Sequence, residues 1–141
     1  MRMKVSDYIA QKLVDEGITD AFMVTGGGAM HLDDGLGHQP GLHCYFNHHE
    51  QACAIAAEAY ARIHNKIAAL CVTTGPGGTN AITGVVGGWL DSIPMLVLSV
   101  QVLPGGTLRL NFPHFPSHEM LSTAFQICQE PALEFGLHSL L

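Results

Sequence analysis

The stretch Ile67-Ala68-Ala69-Leu70-Cys71-Val72-Thr73-Thr74-Gly75-Pro76-Gly77-Gly78-Thr79-Asn80 decides the fold. Its first six residues are apolar without a break, as in a strand covered on both faces, and the run ends in a glycine loop. Such a strand belongs to a parallel sheet, whose crossovers place helices on both sides. The flanks supply those helices. Upstream, 49–63 is apolar almost all round, rich in Ala and free of Gly and Pro, which predicts a buried helix broken at Asn65. Downstream, 79–90 predicts a helix, with 74–78 as the loop before it. Gly84, Gly87 and Gly88 would each weaken that helix by about 1 kcal/mol against Ala, so they read as close-packing positions. Pro94 then opens a second buried strand at 95–98.

The alternation reaches back to the N-terminus. Val5, Ile9 and Leu13 share one helical face, and Gly17 stops that helix. A short apolar strand at 21–24 ends at Gly26-Gly27-Gly28. A helix over 29–36, the turn Pro40-Gly41 and a strand over 42–46 follow. The fold predicted is α/β, a parallel sheet flanked by helices. Its glycines follow its strands, and ligands of open α/β sheets bind at the carboxyl ends of strands. After Leu103 the texture changes. Pro104-Gly105-Gly106, Pro113, Pro116 and Pro131 break the alternation, and no further apolar strand is visible. One helix is expected at 117–129, with Ser117 as its N-cap. The chain therefore divides into a domain at 1–102 and an irregular tail at 103–141.

Composition narrows the function. The chain has 141 residues, 48% apolar and 13% charged, which excludes a disordered segment or a solvated coiled coil. So little charge implies surface hidden against another subunit or domain. Six Lys+Arg against twelve Asp+Glu give −6, without the basic footprint of a nucleic-acid binder. No run reaches the ~18 apolar residues of a membrane span, and no secretory apolar core follows Met1. The expectation is a cytoplasmic protein that binds neither nucleic acid nor membrane. Cys44, Cys53, Cys71 and Cys128 match no metal or redox spacing and read as buried, reduced thiols.

Several chemistries fail on spacing. Gly26 to His31 and Gly75 to Asn80 each miss the last glycine of G-x-G-x-x-G, which argues against a Rossmann dehydrogenase. In His48-His49-Glu50, helical neighbours would point about 100° apart, and Cys53 stands where H-E-x-x-H needs its second histidine. No metal ligand set is expected. Glu50 opens the most apolar helix; on composition alone it is an acid favoured by the helix dipole.

The stretch around Glu50 changes that weighing. Asn47-His48-His49-Glu50-Gln51-Ala52-Cys53-Ala54-Ile55-Ala56-Ala57-Glu58-Ala59-Tyr60-Ala61-Arg62 resembles the H-E-x-x-A-x-x-x-A-x-G/A-Y-A-R segment of thiamine diphosphate (ThDP) enzymes. Val72 to Asn80 is similar to their V-T-x-G-P-G-x-T-N loop, and Gly88 to Pro94 with Gln101-Val102 completes the order. Over roughly 3–102 the chain resembles the N-terminal pyrimidine-binding domain of acetolactate synthase-like enzymes, a flavodoxin-like three-layer fold.

The resemblance implies a decarboxylase or carboligase acting on 2-oxo acids such as pyruvate. It makes Glu50 the catalytic carboxyl, hydrogen-bonded to pyrimidine nitrogen N1′ and so promoting proton loss from the thiazolium. That task needs an acid in a dry site. It implies that Thr73, Pro76, Asn80 and Gln101 line the cofactor and that Gly26 and Gly27 give the site backbone. Val100 departs from the family's usual Gly. The family's Mg²⁺ and diphosphate motif, G-D-G followed by N-N, has no Gly-Asp-Gly counterpart in this chain. Mg²⁺ would be held elsewhere, as would FAD in the relatives that use it. Three accounts follow: a truncated or frameshifted piece, inactive alone; the pyrimidine subunit of a two-chain enzyme; or a non-catalytic binding module. The expected partners are ThDP, a 2-oxo acid, and either further copies in a homo-oligomer or a partner chain that carries the diphosphate domain.

Overall fold

A computed structural model describes residues 3–100 in full and the backbone alone at 101–102 and 108–111. Nine elements follow one another: α1 (Val5–Asp15), β1 (Asp20–Met23), α2 (Met30–His38), β2 (His43–Phe46), α3 (Glu50–His64), β3 (Ala68–Val72), α4 (Pro76–Leu90), β4 (Met95–Val102) and β5 (Leu108–Asn111). Gly17 ends α1 by taking φ +80°, and Asn65 ends α3 at φ 51°. The sheet runs β2-β1-β3-β4-β5. Its first four strands are parallel, in the registers Phe22↔Tyr45, Phe22↔Leu70 and Leu70↔Val97.

Both faces of the sheet are covered at its central strands β1 and β3, while the edge strand β2 is largely exposed. Successive residues of a strand point to opposite faces. Ala69 and Cys71 of β3 join Met23, Leu98 and Val100 under α1 and α2, where Ala10, Leu13, Leu32 and Leu36 are buried. Ala68, Leu70 and Val72 point the other way, to Cys53, Ala54 and Ala57 of α3 and Ala81 of α4. The result is the expected three-layer α/β fold, and β3, the strand read first, is buried at every residue.

Four local expectations need correction. Helix α4 begins at Pro76, not 79, because proline suits the first helical position, where its missing N–H has no bond to make. The loop after β3 thereby shrinks to 73–75. Helix α3 is buried on one face only; Ile55 and Ile63 are 48% and 79% exposed. Its small alanines pack inward, and hydropathy alone did not separate the two faces. Strand β4 continues to Val102, since Ser99 and Gln101 interrupt its apolar run without ending its pairing. Finally, β5 exists. Leu108-Arg109-Leu110-Asn111 alternates apolar and polar residues, a half-covered pattern unlike the continuous runs of the parallel strands, and it pairs antiparallel with β4. The helix expected at 117–129 and Cys128 lie outside the described residues.

Candidate active site

The strand order reverses between β1 and β3, so their carboxyl ends open a crevice at a topological switch point. Two loops meet there, 24–29 after β1 and 73–75 after β3. They meet without room for side chains. A Cβ on Gly26 would lie inside the Thr73 side chain, 2.6 Å from its Oγ1. One on Gly28 would lie 2.6 Å from Thr74 Cγ2, and one on Gly77 2.9 Å from Thr73 Cγ2. Glycine is needed at these positions for close approach. Gly27, in contrast, faces open space. Under the loop, Thr73 Oγ1 is buried without a hydrogen-bond partner. An unpaired buried hydroxyl costs about 1–3 kcal/mol, so the fold holds it there at a loss.

Glu50 reaches the same place from α3. It is the first residue of that helix, where an acid is favoured by the dipole. The N-cap before it is His49, whose Nδ1 accepts the Gln51 amide at 3.1 Å. Asn80 Nδ2 of α4 donates to Glu50 Oε2 at 3.1 Å, while Glu50 Oε1 lies on the Gly77 side.

The packing of α3 against α4 sets this pair. The contacts recur every four residues at a constant offset of thirty positions. Glu50 meets Asn80; a Cβ on Gly84 would lie 2.6 Å from Ala54 Cβ; one on Gly88 would lie 3.5 Å from Glu58 Cγ. Side chains four apart share a helix face, so the two helices run side by side in fixed register. Arg62 closes the row by bonding both Glu58 and Asp91. Gly84 and Gly88 are thus close-packing sites, as the sequence suggested, whereas Gly87, suggested with them, meets only the end of the Glu58 side chain.

The structure therefore gathers Glu50, Asn80, Thr73, Gly26 and the amino end of α4 with Pro76. Glu50 is half-buried and its bond to Asn80 lies at the surface, so this chain alone does not give the dry surroundings expected for it. Gln101 belongs to β4, opposite Arg109 of β5; its side chain lies outside the described residues.

Three participants escaped sequence reading. His49 caps α3 although Ser, Thr, Asp and Asn are the usual N-caps. Ser99 Oγ would lie 3.1 Å from a Cβ on Gly78. Asp33 reaches back from α2, its Oδ2 accepting the Gly26 N–H at 3.2 Å and its Oδ1 facing Cys71 Sγ at 3.8 Å. Burial raises the Asp33 carboxyl above its ordinary value, against the lowering effect of these donors. Burial also pushes the Cys71 thiol far up, with the Asp33 charge adding to it. Cys44 and Cys53 are raised chiefly by burial as well. Such thiols stay protonated and unreactive at neutral pH. A separate open cleft of about 440 Å³, lined by Lys4, Asp7, Asp34, Gly35, His38 and Gln39, lies between α1 and α2. Among the described residues no three metal-ligating side chains cluster, and no helix is long and apolar enough to cross a membrane.

Comparison with known proteins bears on this geometry. The family model "Thiamine pyrophosphate enzyme, N-terminal TPP binding domain" matches residues 3–120. The acetolactate synthase large subunit of Haemophilus influenzae is 36% identical over 102 residues, which cover 72% of this chain and 18% of that protein. The same subunit of Buchnera aphidicola subsp. Schizaphis graminum is 40% identical over 97 residues, 69% of this chain and 17% of its own length. Acetolactate synthase isozyme 3 large subunit of Escherichia coli is 37% identical, with the same coverage. The chain thus spans less than a fifth of the relatives it matches.

Proposed function

The chain belongs to the thiamine pyrophosphate enzyme family, as its N-terminal TPP-binding domain, and from that premise we propose that the β1/β3 crevice is the pyrimidine half of an acetolactate synthase-like active site. The observation that carries the reading is the Glu50 carboxylate, fixed through Oε2 by Asn80 at the switch point, with Oε1 on the Gly77 side. The residues fit the group: a carboxyl for a ring nitrogen, glycine backbone that lets a flat ring approach, and a buried hydroxyl with its hydrogen bond still to make.

When bound, ThDP supplies a thiazolium carbon that attacks the carbonyl of a 2-oxo acid. This chain's part is to hold and move one proton. Asn80 occupies Oε2, which leaves Oε1 to exchange a proton with N1′. A positioned acid or base of this kind contributes typically ~10²–10⁴-fold. Thr73 and Pro76 support the ring, and the backbone of Gly26 and Gly27 faces the substrate. Gln101, at the carboxyl end of β4, belongs to the same edge of the sheet.

The other half of the site comes from elsewhere. Diphosphate with Mg²⁺ needs hard oxygen ligands, and no Gly-Asp-Gly is present here to begin such a set. A second domain, beyond these 141 residues, would hold Mg²⁺ and diphosphate, any FAD, and the acceptor specificity. It would also cover Glu50 and dry its surroundings. Pyruvate is the substrate to try first, and the cytoplasm the compartment. The test is pyruvate decarboxylation by the 141-residue chain with ThDP and Mg²⁺, with and without a family diphosphate domain. Turnover only with the added domain is expected. Saturable turnover by the chain alone would contradict the half-site reading, and ThDP binding without turnover in the complete mixture would favour a non-catalytic module.

A further inference from the structure

Three consecutive glycines make the 26–28 loop costly to order, since each glycine surrenders more conformational freedom on folding than any other residue. Something must hold the loop over Thr73. Its own turn supplies one bond, Ala29 N–H to Gly26 C=O at 2.9 Å. Helix α2 begins without a capping side chain, because Ala29 stands at its N-cap. The remaining tether is Asp33. It projects from the first turns of α2 back past the helix start to the Gly26 N–H.

We propose that Asp33 is a positioning residue that fixes the 26–28 loop against Thr73 and so sets the backbone edge of the crevice. The proposal rests on the reading of that crevice as the active site, but its geometry stands on this chain alone. The carboxylate is braced on both oxygens, one by the Gly26 amide of the β1 loop and the other by the Cys71 thiol of β3. It thereby ties together the two strand ends between which the switch point opens. From Gly26 the contacts pass through Thr73 to Gly77 and Glu50. Asp33 touches no ligand in this arrangement; it acts through the loop. Its neighbour Asp34 faces outward to Lys4 and His38 and makes a natural control.

The test uses the ¹⁵N,¹³C-labelled 141-residue chain without cofactor. Asp33→Ala should speed amide hydrogen exchange at 26–29 at least tenfold and shift the Gly26 amide resonance. Amides of β3 such as Leu70 should stay protected. Asp33→Asn keeps an acceptor for Gly26 and should restore both readouts, and Asp34→Ala should leave them unchanged. If Asp33→Ala does not fold, Asp33→Asn and the wild-type protein still decide. In the wild type the Gly26 amide shift must follow the titration of the Asp33 carboxyl carbon, apart from the Cys44 and Cys71 thiols that face it. Equal exchange at 26–29 in Asp33→Ala and wild type, or a Gly26 amide indifferent to Asp33, would overturn the proposal. Failure of ThDP to bind a complete site would instead count against the active-site reading and leave these amide readouts where they are.

Discussion

Replacing Gly84 by Ala should separate α3 from α4 and destabilise the chain, although alanine is the better helix former. The added methyl would lie 2.6 Å from Ala54 Cβ, 2.9 Å from the Ile55 backbone N and 3.1 Å from the Ala54 carbonyl carbon. Ordinary contact begins near 3.4 Å, so the helices must part by about 0.8 Å. Two of these atoms are backbone, and no rotamer change moves them. Overpacking of this kind costs about 1–3 kcal/mol. Helix propensity returns about 1 kcal/mol. A net loss of up to about 2 kcal/mol is expected, or a fall in Tm of roughly 2–8 °C per kcal/mol. Gly87 is the control on the same helix. There the methyl would meet only the end of the Glu58 side chain, at 3.2 Å from Oε2, which can swing aside. Gly87→Ala should therefore gain up to about 1 kcal/mol. Thermal and urea unfolding followed by circular dichroism measure both. If Gly84→Ala were as stable as Gly87→Ala, the close register that places Asn80 on Glu50 would be wrong.

The crevice loop gives a second pair. Gly26→Ala should lower stability by about 1–3 kcal/mol while Gly27→Ala stays near wild type, and Thr73→Ala should partly rescue Gly26→Ala in a double-mutant cycle. Stability should also depend on pH in two opposite ways, read from urea midpoints across the acidic range. The Asp33 carboxyl is raised above its ordinary 3.8, so the folded chain holds that proton more tightly than the unfolded one. This contribution falls as pH rises from 3.8 through the folded value, and Asp33→Asn should remove it. Burial would raise Asp20 too, but hydrogen bonds from Thr19, Tyr60 and Tyr45 prevail and hold it below 3.8. Its contribution is present above 3.8 and lost as pH falls through the lower folded value; Tyr60→Phe should shrink it.

The fold was legible because its central strands β1 and β3 are buried on both faces, although the edge strand β2 is largely exposed. Ala68 to Val72 needs no partner to be recognised, whereas β5, whose sequence only alternates apolar and polar residues, carries half the signal. Helix starts were less legible than helices. Pro76 opens α4 three residues before the expected start, whereas α2 begins at Met30, one residue after the expected 29. Of the site, Glu50, Asn80 and Thr73 were visible through their place in ordered motifs. Their contacts are not a property of spacing along the chain. The offset of thirty residues between α3 and α4 arises from glycine meeting alanine between two helices. Asp33 was hidden for the same reason. The two neighbours part only in space: Asp33 turns inward to Gly26 and Asp34 outward to Lys4.

The most direct test of the half-site is the rate of C2 hydrogen exchange of ThDP in a complete site, with this chain supplying the pyrimidine side. Glu50→Gln keeps the shape and the bond to Asn80 but cannot exchange a proton in the same way, so exchange should slow by about 10²–10⁴-fold with the melting temperature nearly unchanged. Glu58→Gln, two turns along α3 and about 12 Å away, should leave exchange near wild type. Equal losses in the two variants, or a Glu50→Gln protein that melts earlier yet exchanges normally, would contradict the assignment and return Glu50 to a helix-end charge.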